Sequence, residues 1–397
     1  MCWLFKRYIK ISYLFSIMKI GFLITYFYPK SGGAENNCFY LARELVKKHE
    51  VHVFCSGEDN VDEVIDGVFI HRCKEWFRLT YYLGVYPSLV KRLKMFKLDI
   101  HVHGFGFLQH DLAIYSLKKV NPNLKIVCTP HGPFMCLKDY SFFAKWFKKL
   151  YLPFIRDSLK GYDKIIQVNP YQYKWMYHEY HVPKSKVEFI PNGILNSVFD
   201  ELSPKKTSDI LRKFSLEGKF IISYLGRIQK YKGMEQVVKV LPDLIDNNLD
   251  ICFVAIGKDL NYSDELKNLA MEFGVFDHFC LTGEVSEEEK LALLDASEIF
   301  VFPSEWEAFG IVVLEAMARN NAVVSSKTEG GKYLISEGEN GFLFDYGDLD
   351  KLKEELHILI EDVKLRDKMK KANFLKSKKY IWEDIALMLE KLYKELL

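Results

Sequence analysis

The sequence predicts an α/β protein built of two Rossmann-like domains, and three observations carry that expectation. At 397 residues the chain is too long for one ordinary hydrophobic core and suits two domains of roughly 180 residues each. From Lys19 onward, short apolar runs alternate with amphipathic stretches, which is the pattern of βα units in a parallel sheet. The series breaks near residue 200 and then begins again, so the chain reads as two similar halves.

Composition narrows the class. A hydrophobic fraction of 49% and a charged fraction of 27% are those of a folded globular body, which excludes a disordered chain, a collagen and a polytopic membrane protein. A net charge of +2 gives no global electrostatic case for a nucleic-acid partner, and none is expected. Cys2, Cys38, Cys55, Cys73, Cys128, Cys136, Cys252 and Cys280 are scattered, with no Cys-x-x-Cys pair, and read as reduced thiols. No metal site is expected.

At the amino end, residues 11–28 are mostly apolar and follow Lys6, Arg7 and Lys10, as in a signal anchor. Lys19 in the middle opposes that reading, because a charge is costly in a bilayer, and residues 29–33 follow as a turn. Residues 19–25 read instead as a buried parallel strand. Met18 gives residues 1–17 a second reading, as an amino-terminal extension from an upstream start, beside that of a functional anchor.

The first half, residues 18–196, has further candidate strands at 51–56, 99–103, 125–129 and 164–168. Between its first two strands, Ala34, Cys38, Leu41, Ala42 and Leu45 recur at spacings of three and four, giving a helix one apolar face. The polar run Ser-Pro-Lys-Lys-Thr-Ser at 203–208 is the best linker. In the second half, residues 204–378, strands at 219–225, 251–256, 279–282, 299–303 and 322–326 alternate with helices near 233–247, 263–273, 286–296 and 311–319. Residues 349–397 are helical, with a break near Lys379 before a last helix at 380–397. The carboxyl ends of the two sheets are expected to face each other across an interdomain cleft.

Four segments could carry chemistry. Residues 29–35, Pro-Lys-Ser-Gly-Gly-Ala-Glu, join the first strand to the first helix; Gly32 and Gly33 let backbone approach a ligand, and the helix start offers free amides. A tight connection is the alternative. Residues 226–233, Gly-Arg-Ile-Gln-Lys-Tyr-Lys-Gly, leave a strand end and enter a helix, so Arg227 and Lys232 could neutralise a diphosphate with the helix dipole, without a metal. A solvated basic loop fits the spacing equally.

In residues 303–317, Glu307 falls in a loop and Glu315 inside the apolar helix that follows. Carboxylates placed there suit vicinal hydroxyls of sugar and ribose rings, and the amides of Ala308, Phe309, Gly310 and Ile311 add donors. A helix-dipole partner and a surface glutamate are the bland alternative. Finally, Thr-Pro-His-Gly-Pro-Phe at 129–134 follows a strand directly and places His131 at its end, where an imidazole can position a hydroxyl or exchange protons. His101, His103 and His110 read as structural.

Taken together, Gly-Gly-Ala-Glu at 32–35, Thr-Pro-His-Gly at 129–132, Ile-Pro-Asn-Gly at 190–193, Gly-Arg-Ile-x3-Lys-Gly at 226–233 and Glu-x-Phe-Gly-Ile-x3-Glu at 307–315 resemble the family 4 retaining glycosyltransferases of GT-B fold. The resemblance covers nearly all of residues 18–397. It implies that Arg227 and Lys232 hold the donor diphosphate, that Glu315 binds the ribose hydroxyls, and that Glu307 with the amides of Phe309 and Gly310 binds the transferred sugar. Gly33 would approach the phosphates and His131 the sugar. It also implies front-face attack through an oxocarbenium-like state, with no cofactor beyond the nucleotide-sugar donor, and a last helix that returns to the first domain. Residues 320–323, Asn-Asn-Ala-Val, and 330–334, Gly-Gly-Lys-Tyr-Leu, depart from the family pattern; Leu334 stands where a glutamate is usual, so UDP and GDP both stay open.

For the acceptor, residues 136–164 hold seven Lys or Arg against three Asp, interleaved with aromatics, and read either as a membrane-surface helix or as core aromatics with a solvated lysine face. The first reading implies a cytoplasmic enzyme peripheral at the inner face of the membrane, acting on a glycan or lipid-linked acceptor. A nucleotide-sugar 2-epimerase and a non-catalytic nucleotide-sugar-binding protein share the architecture and are the rival readings.

Overall fold

The computed structural model describes residues 17–30, 32–96, 98–135, 142–245 and 250–397. The chain forms two compact units: one runs through Gln167 and includes Tyr173–Ile190 and Ala386–Leu397, the other comprises Val168–Gln172 and Pro191–Ile385.

In the first unit, β1 (Lys19–Leu23), β2 (Glu50–Gly57), β3 (Val61–Ile65) and β4 (Val68–Lys74) precede a hairpin of β5 (Phe77–Thr80) and β6 (Leu83–Val85). Then follow β7 (Asp99–His103), β8 (Ile126–Thr129), β9 (Lys164–Gln167) and β10 (Val187–Phe189). The eight-stranded sheet has the order β10-β9-β8-β7-β1-β2-β4-β3 and is parallel except for the edge strand β3, which runs antiparallel to β4. The helix Gly33–Leu45 buries Cys38, Leu41, Ala42 and Leu45, the face set by their spacing.

The second unit is a six-stranded parallel sheet of β11 (Phe220–Leu225), β12 (Ile251–Ile256), β13 (Phe279–Gly283), β14 (Ser297–Phe302), β15 (Ala322–Ser326) and β16 (Gly341–Phe344). Its order, β13-β12-β11-β14-β15-β16, starts in the middle, winds outward one way, and crosses back to wind the other. The chain therefore winds away from β11 and from β14 in opposite directions, and the switch point between these two strands is where doubly wound sheets bind ligands. In the first unit the same reversal lies between the neighbours β1 and β7. β12 is buried throughout, which is why such strands read as continuous apolar runs.

The structure corrects one expectation outright. Residues 203–208 are not a linker: Ser203 accepts the Lys206 amide as an N-cap, Pro204 takes the first helical position, and Pro204–Lys213 is a helix. Serine followed by proline is a helix start as much as a loop signal. The helical tail has two breaks, at Asp362 and at residues 378–381, giving Leu349–Glu361, Val363–Ser377 and Trp382–Leu396. The last of these helices leaves the second unit after Ile385 and ends in the first. Cys38, Cys55, Cys73, Cys128, Cys252 and Cys280 are free thiols; Cys2 and Cys136 lie outside the described residues, as do residues 1–16. Among the described residues no helix is long and apolar enough to cross a membrane.

Candidate active site

In the second unit the loops after β11 and β14 meet at the topological switch. The first makes a 3-10 turn at Lys230–Lys232 and reaches Gly233, with φ of 72°, before the helix Met234–Ile245. A Cβ at Gly233 would fall 2.1 Å from the carbonyl oxygen of Pro303, so only glycine permits this approach. The Glu305 amide donates to the Tyr231 carbonyl at 2.8 Å, and Gln236 Nε2 donates to the Pro303 carbonyl at 3.0 Å.

That contact brings Lys232 to Glu307: Nζ lies 2.7 Å from Oε2, and the lysine side chain is almost wholly shielded. Burial opposes the ammonium charge, yet Glu307 and Tyr231 outweigh it, so the Lys232 pKa lies above its ordinary value and the side chain stays cationic. Arg227 is close enough to act against that charge and donates to the Tyr231 hydroxyl at 3.2 Å. Two cations thus converge beside a helix start, as the motif spacing predicts. Lys232 has three N–H donors and spends one on Glu307; Glu307 has a second oxygen.

Beyond Glu307 the chain turns through Gly310, at φ of 85°, into the helix Ile311–Ala318. The Phe309 side chain is buried and packs near the Tyr333 and Tyr380 rings, which leaves its backbone as the part available to a ligand. Glu315, the fifth residue of the helix, meets Lys290 Nζ at 2.6 Å, and that ammonium also reaches Glu287 at 2.7 Å. Burial again opposes the Lys290 charge, and Glu315 with Glu287 raises its pKa overall. Nothing in the sequence marks Lys290; its helix was legible from periodicity, its partner was not.

In the first unit, Gly32 precedes the helix Gly33–Leu45 in extended backbone; a Cβ at Gly33 would meet nothing within 4 Å, whereas one at Gly32 would meet the Glu35 carboxylate. His131 follows β8 in the left-handed region, at φ of 57°. Its Nε2 stands 3.1 Å from His103 Nδ1, with the ring centroids 5.4 Å apart and the rings nearly parallel. Burial pushes the His131 pKa down to about 4, so the imidazole is neutral at physiological pH. His103, read as structural, therefore contacts the histidine singled out by its motif. His110 is buried between Phe107 and Tyr86, and burial lowers its pKa to about 3; the His101 side chain lies outside the described residues.

One chain thus holds two doubly wound sheets, the second with cations and carboxylates gathered at its switch point, and known proteins of this architecture are glycosyltransferases of GT-B fold. The profile of the glycosyl transferases group 1 matches residues 207–375, and that of glycosyltransferase family 4 matches residues 31–195. An uncharacterized glycosyltransferase of Methanocaldococcus jannaschii is 26% identical over 403 residues, covering 95% of this chain and 98% of that protein. Sucrose-phosphate synthase from Thermosynechococcus elongatus superposes with a TM-score of 0.79 at 20% identity, over 96% of this chain and 99% of the other. HepE of Anabaena, in complex with UDP-glucose, gives 0.75 at 16% identity over 95% and 100%. The chain belongs to the family 4 glycosyltransferases.

Proposed function

We propose that the enzyme transfers a sugar from a UDP- or GDP-sugar to a glycan or lipid-linked acceptor with retention of anomeric configuration and without a metal. The observation that carries this reading is the convergence of Arg227 and Lys232 on the rim of β11, with Glu307 held 2.7 Å from Lys232. As the glycosidic bond to the donor breaks, negative charge develops on the leaving diphosphate. Cations already fixed at that position stabilise it, and preorganised charge of this kind contributes about 3 kcal/mol per group. Glu307 accepts from sugar hydroxyls through its second oxygen, the Phe309 and Gly310 amides donate to the sugar, and Glu315 accepts from the ribose. Gly32 and Gly33 provide close backbone approach, with Ile311 completing the amide row. Neutral His131 hydrogen-bonds a sugar hydroxyl. That HepE was solved with UDP-glucose supports the class of donor.

The acceptor is met at the inner face of a membrane, with the enzyme peripheral to it. In support, the helix Phe142–Lys160 packs Phe147, Tyr151 and Phe154 on the core and exposes Lys145, Trp146, Lys149 and Leu150, a mixed aromatic and basic face. Flotation with anionic and neutral vesicles tests this; absence from the anionic vesicle fraction removes the membrane from the reading.

A thermal-shift screen of nucleotide sugars tests the donor site. One of them raises Tm by mass action in the wild type and does not in Lys232→Met or Arg227→Ala. A wild type that no nucleotide sugar stabilises defeats the proposal. Turnover without acceptor that yields an epimer would reassign the reaction to a 2-epimerase.

A further inference from the structure

The stretch Val168–Gln172 belongs to the second unit although the chain on either side of it belongs to the first. What fixes it there is Asn169, which is fully buried. Asn169 Oδ1 accepts the amides of Tyr171 at 2.8 Å and Gln172 at 3.2 Å, so the nitrogen of the same side chain must face the other way. Nδ2 donates to the carbonyl oxygen of Ala308, inside the loop between Glu307 and Gly310. Lys332 covers the Tyr171 ring at 4.9 Å, so the excursion is held from a second side.

The Ala308 carbonyl and the Phe309 amide are the two ends of one planar trans peptide, and they point in opposite directions. A donor that fixes the carbonyl therefore fixes the direction of the N–H. The preceding peptide is fixed in the same manner, because the Gly330 amide donates to the Glu307 carbonyl at 3.1 Å. A Cβ at Gly330 would lie 2.3 Å from the Phe309 carbonyl, so the glycine is what lets this strap lie close.

We propose that Asn169 is a positioning residue for sugar binding: by holding the Ala308 carbonyl it aims the Phe309 amide at the transferred sugar. The chain thus ties an excursion from its first half directly to the sugar-reading loop of the second unit. This inference rests on the donor assignment above.

Asn169→Asp separates positioning from folding. Aspartate keeps the oxygen that accepts the Tyr171 and Gln172 amides, but it sets an acceptor against the Ala308 carbonyl and frees that peptide to turn. The probes are UDP-glucose, UDP-N-acetylglucosamine, GDP-mannose and ADP-glucose, each beside its nucleoside diphosphate, titrated by calorimetry into the full chain. For the sugar nucleotide that the wild type binds most tightly, Asn169→Asp and Asn169→Ala are expected to lose about tenfold in affinity, while the diphosphate alone binds as before. Hydrogen–deuterium exchange should rise in peptides spanning residues 305–311 and stay unchanged in β11. Equal losses for diphosphate and sugar nucleotide, or no loss in a folded Asn169→Asp protein, overturn the inference. If the wild type binds none of the probes, the donor assignment itself falls and takes this inference with it.

Discussion

Lys290 holds the Glu315 carboxylate at 2.6 Å, and both side chains are largely shielded from water. Removing the lysine leaves a half-buried carboxylate without its counter-charge, free to turn away from the ribose we propose it binds. Lys290→Met is therefore expected to weaken nucleoside diphosphate binding by about tenfold, and the double variant with Glu315→Gln to be no worse than Glu315→Gln alone. Calorimetric titration of the four proteins reads the coupling. Additive losses would show that Lys290 does not act through Glu315.

The Lys232–Glu307 pair predicts a different outcome. On the proposed reading Lys232→Met removes a cation from the leaving group, and kcat/KM should fall about 100- to 1,000-fold. Because the folded-state pKa of Lys232 is raised, the stability it contributes is present below its unfolded value and is lost only as pH rises through the folded one. Unfolding measured in urea should therefore show no loss traceable to Lys232 between pH 6 and roughly 10. A Lys232→Met enzyme within fivefold of wild type removes the lysine from the chemistry.

For His131, the prediction concerns charge. With its pKa pushed down to about 4 by burial, the folded protein stays unprotonated there while the unfolded chain takes up a proton near 6.5. The fold consequently loses stability as pH falls from about 6.5 to about 4, and His131→Asn reduces that loss. Imidazole NMR resonances checked against the variant give the titration directly; a midpoint near 6.5 contradicts the assignment.

Asp111 has the opposite sign. Burial raises its pKa to about 7, although the Tyr151 hydroxyl at 2.8 Å and the Gly106 amide at 3.1 Å hold the charge down in energy. The neutral acid is favoured in the fold, so its stability contribution is full below the unfolded pKa and is lost as pH rises toward 7. Asn in its place removes the ionisation and keeps an acceptor for both donors. Asp111→Asn should be more stable than wild type at pH 8, by about 2 kcal/mol, with the gain shrinking toward pH 4. Chemical denaturation across that range decides it; a uniform loss of stability would show that the carboxyl is needed as it stands.

The sequence exposes strands that are buried on both faces, since apolar runs such as Ile-Cys-Phe-Val-Ala-Ile in β12 admit few other readings. It exposes less of the edge. Val-Asp-Glu-Val-Ile in β3 is half polar, β16 is only Gly-Phe-Leu-Phe, and neither carries a pattern long enough to separate from a loop. Site residues follow the same division. Lys232 and Glu307 lie within compact motifs beside strand ends, and were legible. Lys290 and Asn169 reach Glu315 and Ala308 from elsewhere in the chain, and only the folded geometry discloses these partners. His103 stands between the two cases: the sequence shows it at a strand end and says nothing of the ring that it faces.

The closing helix has a consequence for synthesis. Leu389, Leu392 and Tyr393 are buried, and Glu390 pairs with Lys48 and His49, so the first unit takes part of its interior from residues made about 200 positions after the rest of it. A ribosome releases the first half long before those residues emerge. That body must wait, with apolar surface uncovered, until Ala386–Leu397 arrive, and a fragment stopping at residue 190 would be left permanently unfinished.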